Sequence, residues 1–120
     1  MFVVAKKEQS KILMGMLSYA NDLTDLTAIQ QEIEWYDHDE HRELLLWREV
    51  DSDRYPVCIG IEPLYGTVLV RRIVFSPGLS EAEKQYLGQT ILHELTLRFP
   101  DEGITGTIIT QPILNTWRDK

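Results

Sequence analysis

The sequence has a single cysteine, no apolar run of membrane length and no stripe of basic residues. A lone Cys58 inside the run PVCIGI can build neither a disulfide framework nor a zinc cluster, which points to a reducing, cytoplasmic setting. No segment reaches the roughly 18 consecutive apolar residues of a span, and MFVVAKKEQ lacks the basic-then-apolar order of a leader, so no membrane association is expected. Lys and Arg number 12 against 19 Asp and Glu, a net charge of −7. Without clustered cations to displace counterions from phosphates, nucleic-acid binding is not expected. G-x-S-x-G, Walker A and Rossmann signatures are missing. His93-Glu94 begins a zincin H-E-x-x-H pattern, but Leu97 stands where the second histidine belongs.

What is present reads as one domain over residues 1–120, with 43% apolar residues and no repeat or linker. The charge is uneven. Residues 21–53 carry eleven acidic and two basic side chains, whereas residues 54–120 balance at seven each. Residues 2–5 (FVVA) suggest a first strand. Ile12, Leu13, Met16, Leu17 and Ala20 recur at helical spacing, and Leu23, Leu26, Ile29, Ile33 and Tyr36 continue a second amphipathic pattern. LLLW (44–47), PVCIGI (56–61) and TVLVRRIVF (67–75), separated by the DSDR and EPLYG turns, predict an antiparallel meander. Ser80 to Phe99 predicts one long helix, ITGTII (104–109) a strand, and Pro112 the first turn of a last helix. The fold class is α/β (α+β), in the order β-α-α-β-β-β-α-β-α.

Few side chains advertise chemistry. His38 and His41 sit among carboxylates in DHDEH, but no further ligands are spaced to complete a metal site, so an acidic, solvated turn is expected and no metal. Cys58 on an apolar strand reads as core, and His93 as a helix-surface residue. Glu62, ending a strand, is the only carboxylate whose position suits a base, though a surface charge suits it better. The richest stretch is VLVRRIVFSPGLSEAEKQYLGQTILHEL (68–95), a strand running through Ser76-Pro77 into a long helix. Such junctions hold phosphates, because the first helical N–H groups have no internal partners. Ser80-Glu81-Ala82-Glu83 is, however, a capping box. The Ser80 side chain would accept from the third helical amide and Glu83 would reach back to the Ser80 N–H, filling the anion site with protein.

That same segment resembles motif A of the GCN5-related N-acetyltransferases (GNAT), whose strand ends in V-x-P before Arg/Gln-x-x-Gly-x-Gly/Ala. KILMGMLSY (11–19), RELLLWREVD (42–51) and VCIGIE (57–62) resemble the small acetyltransferase-like proteins of bacterial riboflavin operons. The resemblance implies a GNAT-like mixed, twisted sheet flanked by helices and C-terminally truncated after the helix that follows the fifth strand. It also implies an acetyl-CoA-dependent transfer to a small-molecule amine. Its cofactor-binding positions fall on Ile73, Phe75, Lys84, Gln85, Gly88 and Gln89, and the charges of Lys84, Arg71 and Arg72 would partly compensate for the missing glycine cradle. Where the family places a Tyr acid in the last helix, this chain has Trp117 and Arg118, so no catalytic residue is assigned. Aligning the last motif glycine on Gly88 puts Glu83 where the motif has Arg or Gln. The alternative function is a non-catalytic regulatory or interaction domain with a degenerate acetyl-CoA site. A homodimer is permitted and not required.

Overall fold

A computed structural model describes residues 1–5 and 9–118. The order is β1 (Phe2–Val4), α1 (Ser10–Leu17), α2 (Leu26–Asp37), β2 (Glu43–Trp47), β3 (Val57–Leu64), β4 (Thr67–Phe75), α3 (Glu81–Arg98), β5 (Gly103–Gly106) and α4 (Gln111–Arg118). The five strands form one sheet in chain order, antiparallel from β1 to β4, with β5 parallel to β4. This is the mixed sheet and element order expected from the sequence.

Helices cover both faces, which is why β2 and β3 read as nearly unbroken apolar runs rather than alternating ones. Leu45, Trp47, Val57, Ile59 and Ile61 point to the α3/α4 face and pack with Ile91, Leu95, Leu114 and Trp117. Leu44, Leu46 and Cys58 point to the other, against Leu13, Leu17 and Ile29 of α1 and α2. Gly60 lies under the Tyr36 ring: a Cβ there would come within 2.1 Å of the Tyr36 hydroxyl. Cys58 is fully buried, and loss of water pushes its thiol pKa up to about 12, as the core reading of this residue requires.

Two boundaries differ from expectation. The EPLYG spacer is mostly strand, because β3 runs on to Leu64 and the turn is only Tyr65-Gly66. Both turn residues have positive φ (47° and 80°), the geometry that suits a two-residue hairpin to the twist of its strands. Pro63 is tolerated because β2 ends opposite Ile61, so no neighbour on that side needs its N–H. The ITGTII strand stops at Gly106. There the Thr110 hydroxyl donates to the Val70 carbonyl (2.6 Å) and accepts from the Thr107 amide (2.8 Å). This staple turns the chain off the sheet and leaves Ile108 and Ile109 exposed.

Candidate functional site

Diversion of the chain at Gly106 opens the sheet. β5 pairs with β4 only from Thr67 to Val70, while β4 continues to Phe75. The Ser76 amide donates to the Pro56 carbonyl (2.8 Å), so antiparallel alternation turns the backbone groups of Val74 and Arg72 toward β3. Those of Ile73 and Phe75 face the other way, onto the edge that β5 has left.

The opening coincides with a β-bulge. Gly60 opposes Arg72 and Ile61 opposes Val70, so Arg71 is the extra residue. A bulge reverses which parity of residues faces the core. Before it, Val68 and Val70 face α3; after it, Ile73 and Phe75 do. Arg71 and Arg72 both emerge on the α2 face. Arg72 bonds both Asp22 oxygens (2.8 Å each) and Glu32 (2.7 Å), and Arg71 reaches Glu62 (3.2 Å). These guanidiniums are therefore engaged away from the start of α3, contrary to the expectation that their charge would compensate there for the missing glycine cradle. The Arg72 hydrogen bonds hold the Asp22 carboxyl below its ordinary range. Glu62 is not the exposed charge considered above: its side chain is 13% exposed and fixed between Arg42 and Arg71, both stacked on Trp35.

On the α3/α4 side the open edge forms a wall of a cleft of about 420 Å³, lined by Phe75, Lys84, Gln85, Ile113, Thr116 and Trp117 among others. Gln85 Nε2 donates to the Thr116 carbonyl (2.6 Å), tying α3 to α4 across the floor. Phe75 and Trp117 meet edge to face, with centroids 6.4 Å apart. Lys84 Nζ stands 5.6 Å over the Phe75 ring and 3.5 Å from Glu81. Of the six positions carried over from the resemblance, Phe75, Lys84 and Gln85 line this cleft, and Ile73 lies on the stretch of β4 left unpaired by β5 without lining it. Gly88 lies beneath the Trp117 indole, where a Cβ would come within 2.0 Å of Nε1. Gln89 is half-buried on α3, outside the cleft lining.

The capping box forms in full. The Glu83 amide donates to Ser80 Oγ (3.1 Å) and the Ser80 amide to Glu83 Oε1 (3.0 Å), with α3 beginning at Glu81. The Ser80 N–H also lowers the pKa of the Glu83 carboxyl, keeping it charged. The histidines lie outside any such arrangement: His38, His41 and His93 are exposed, and no group of metal-ligating side chains occurs among the described residues.

No family model matches the chain. A curated relative from Bacillus methanolicus, described as an uncharacterized N-acetyltransferase in the lysA 3′ region, is 41% identical over 104 residues, covering 87% of this chain and 83% of its own. The chain belongs to the GNAT acetyltransferase family. Solved structures bear the same fold. One described as a probable acetyltransferase superposes with a TM-score of 0.69 at 9% identity, covering 99% of this chain and 87% of its own. A GNAT family acetyltransferase of Staphylococcus aureus gives 0.65 at 13% identity, covering 89% and 84%. In this GNAT chain, sequence reasoning found the capped helix, but missed the bulge and the Trp117 lid on Gly88. The signal for the bulge was legible: apolar parity switches from Val68 and Val70 to Ile73 and Phe75 across two arginines.

Proposed function

We propose that this chain is an N-acyltransferase that takes an acyl group from a pantetheine thioester, acetyl-CoA in the first instance, and passes it to a small-molecule amine. The single observation that carries the reading is the open β4 edge at Ile73 and Phe75, beside the bulge and above an apolar cleft. An extended amide-bearing arm can add to that edge as a strand would, its amides meeting backbone N–H and C=O groups. The reaction joins amine nitrogen to acyl carbon as the C–S bond breaks, giving an amide and a thiol. The contribution of the fold is placement of the two reactants, because orientation alone lowers the barrier substantially. Tyr is absent from α4 and Glu62 is locked in ion pairs, so no side chain of this chain is given a proton-transfer role.

The fit to acetyl-CoA is divided. Its arm matches the open edge, Phe75, Ile113 and the Gln85 side chain. Its pyrophosphate does not match the start of α3, where Glu83 supplies the capping acceptor and Ser80 closes the turn. That second fact favours the alternative, a regulatory or interaction domain that keeps the GNAT fold. We also assign the chain to the RibT type associated with riboflavin synthesis, on KILMGMLSY, RELLLWREVD and VCIGIE. Calorimetric titration with acetyl-CoA, paired with thermal shift, separates the readings. Binding raises apparent stability by RT ln(1 + [L]/Kd), so a saturable heat with a rising Tm is the expected result. No heat and no shift at millimolar ligand overturns the transferase reading.

A further inference from the structure

We infer that this protein recognises its donor by the pantetheine arm and leaves the nucleotide half of coenzyme A almost ungripped, so that its ligand class is acyl-pantetheines in general. The inference rests on the transferase reading above and sharpens it. A helix end holds phosphate through free amides, close backbone approach and net positive charge. At α3 these conditions are only partly met: the Glu81 and Ala82 amides stand outside the capping box and Arg54 lines the same loop as Glu83, but the rest is used or reversed. The Glu83 amide is taken by Ser80 Oγ, and the Ser80 amide by Glu83 Oε1. Approach at Gly88 is blocked by the Trp117 indole, which lies within 2.0 Å of where a Cβ would be. Glu81 and Glu83 put two carboxylates in the first turn, and Lys84, the cation lining the cleft, already lies 3.5 Å from Glu81. Arg71 and Arg72 are committed to Glu62, Asp22 and Glu32 on the opposite face of the sheet.

The arm meets the reverse conditions. Ile73 and Phe75 turn backbone groups to the edge vacated by β5, and Phe75, Pro112, Ile113 and Trp117 give its methylene and gem-dimethyl groups an apolar wall. A cleft of about 420 Å³ sits low in the roughly 300–1,000 Å³ range of small-molecule sites, enough for such an arm. Affinity should thus reside along the open edge of β4 and its apolar wall.

The test is parallel calorimetry of the intact chain with acetyl-CoA and S-acetyl-pantetheine, repeated on Glu83→Gln. For the natural chain the two dissociation constants should agree within about threefold, with little dependence on salt. Glutamine retains the reach to the Ser80 amide but drops the charge. Glu83→Gln should therefore tighten acetyl-CoA by about threefold or more while leaving acetyl-pantetheine unchanged. Acetyl-CoA binding tenfold or more tighter than acetyl-pantetheine in the natural chain, about 1.4 kcal/mol, overturns the inference and leaves the transferase reading standing. A ratio that Glu83→Gln does not move overturns the role given to the capping carboxylate. Failure of both ligands to bind removes the transferase reading itself, a distinct outcome.

Discussion

Gly88→Ala is the substitution whose sign discriminates most sharply between two accounts of the motif glycine. In an exposed helix interior, alanine is favoured over glycine by about 1 kcal/mol, so the change would stabilise α3 if Gly88 faced open space. Here the new Cβ would lie 2.0 Å from Trp117 Nε1 and 2.1 Å from Cε2, more than an ångström inside ordinary contact. The indole is planar, 3% exposed and backed edge-on by Phe75, so it cannot slide aside without carrying α4 with it. Overpacking of this kind costs roughly 1–3 kcal/mol, and losing the seat of a buried Trp approaches the 3–5 kcal/mol of a large-to-small change. Set against the helix gain of about 1 kcal/mol, Gly88→Ala should destabilise by up to about 2 kcal/mol if the contact is merely overpacked and by about 2–4 kcal/mol if the Trp117 seat is lost, or several degrees in Tm. Urea unfolding followed by circular dichroism measures it. Combining it with Trp117→Leu should give a total smaller than the sum of the single changes by about 1 kcal/mol, since the contact is shared. A stabilised Gly88→Ala protein would refute the reasoning and return Gly88 to the role of an open phosphate cradle.

Ser80→Ala removes the cap and should cost roughly 0.5–2 kcal/mol in the same unfolding assay, whereas unchanged stability would mean that the loop is open. Arg72→Met strips Asp22 and Glu32 of their partner and should cost about 1–3 kcal/mol, less than a fully buried pair because Asp22 is largely exposed. The Asp22 carboxyl is held below its unfolded value, so it contributes stability above the unfolded pKa and loses it as pH falls through the folded one. Asp22→Asn should therefore flatten the acid limb of the stability curve, and an unchanged limb contradicts the Arg72 assignment. Cys58 should react with a thiol reagent only at the rate of unfolding, given full burial and a pKa raised to about 12.

Much of the fold lay in local patterns. The meander was legible because β2, β3 and β4 are short, largely apolar runs with turns between them, and α3 because Ser80 and Glu83 announce its start three residues apart. The end of β5 was not legible. Ile108 and Ile109 look like strand residues, and only the hydroxyl bond from Thr110 to the Val70 carbonyl, forty residues away, takes them out of the sheet. The site was half readable for the same reason. Phe75, Lys84 and Gln85 were carried over from the resemblance to motif A, and the fold brings them to one cleft. The seat of Trp117 on Gly88 depends on how two helices pack, and no spacing along the chain reports that. The commitment of Arg71 and Arg72 to the α2 face was not legible, because plain alternation through residues 67–75 omits the bulge that turns both that way.

Amide chemical-shift mapping with ¹⁵N-labelled protein and acetyl-CoA tests the central claim most directly, since one titration reports both halves of the ligand. The account predicts the largest shifts at the Ile73 and Phe75 amides, with a smaller response at the Gln85 side chain. The amides of Ser80 and Glu83, already bonded to each other's side chains, should stay in place. Shifts centred on residues 80–83 would show a phosphate displacing the cap, and a spectrum unmoved at millimolar ligand would show that the open edge of β4 is not a thioester site.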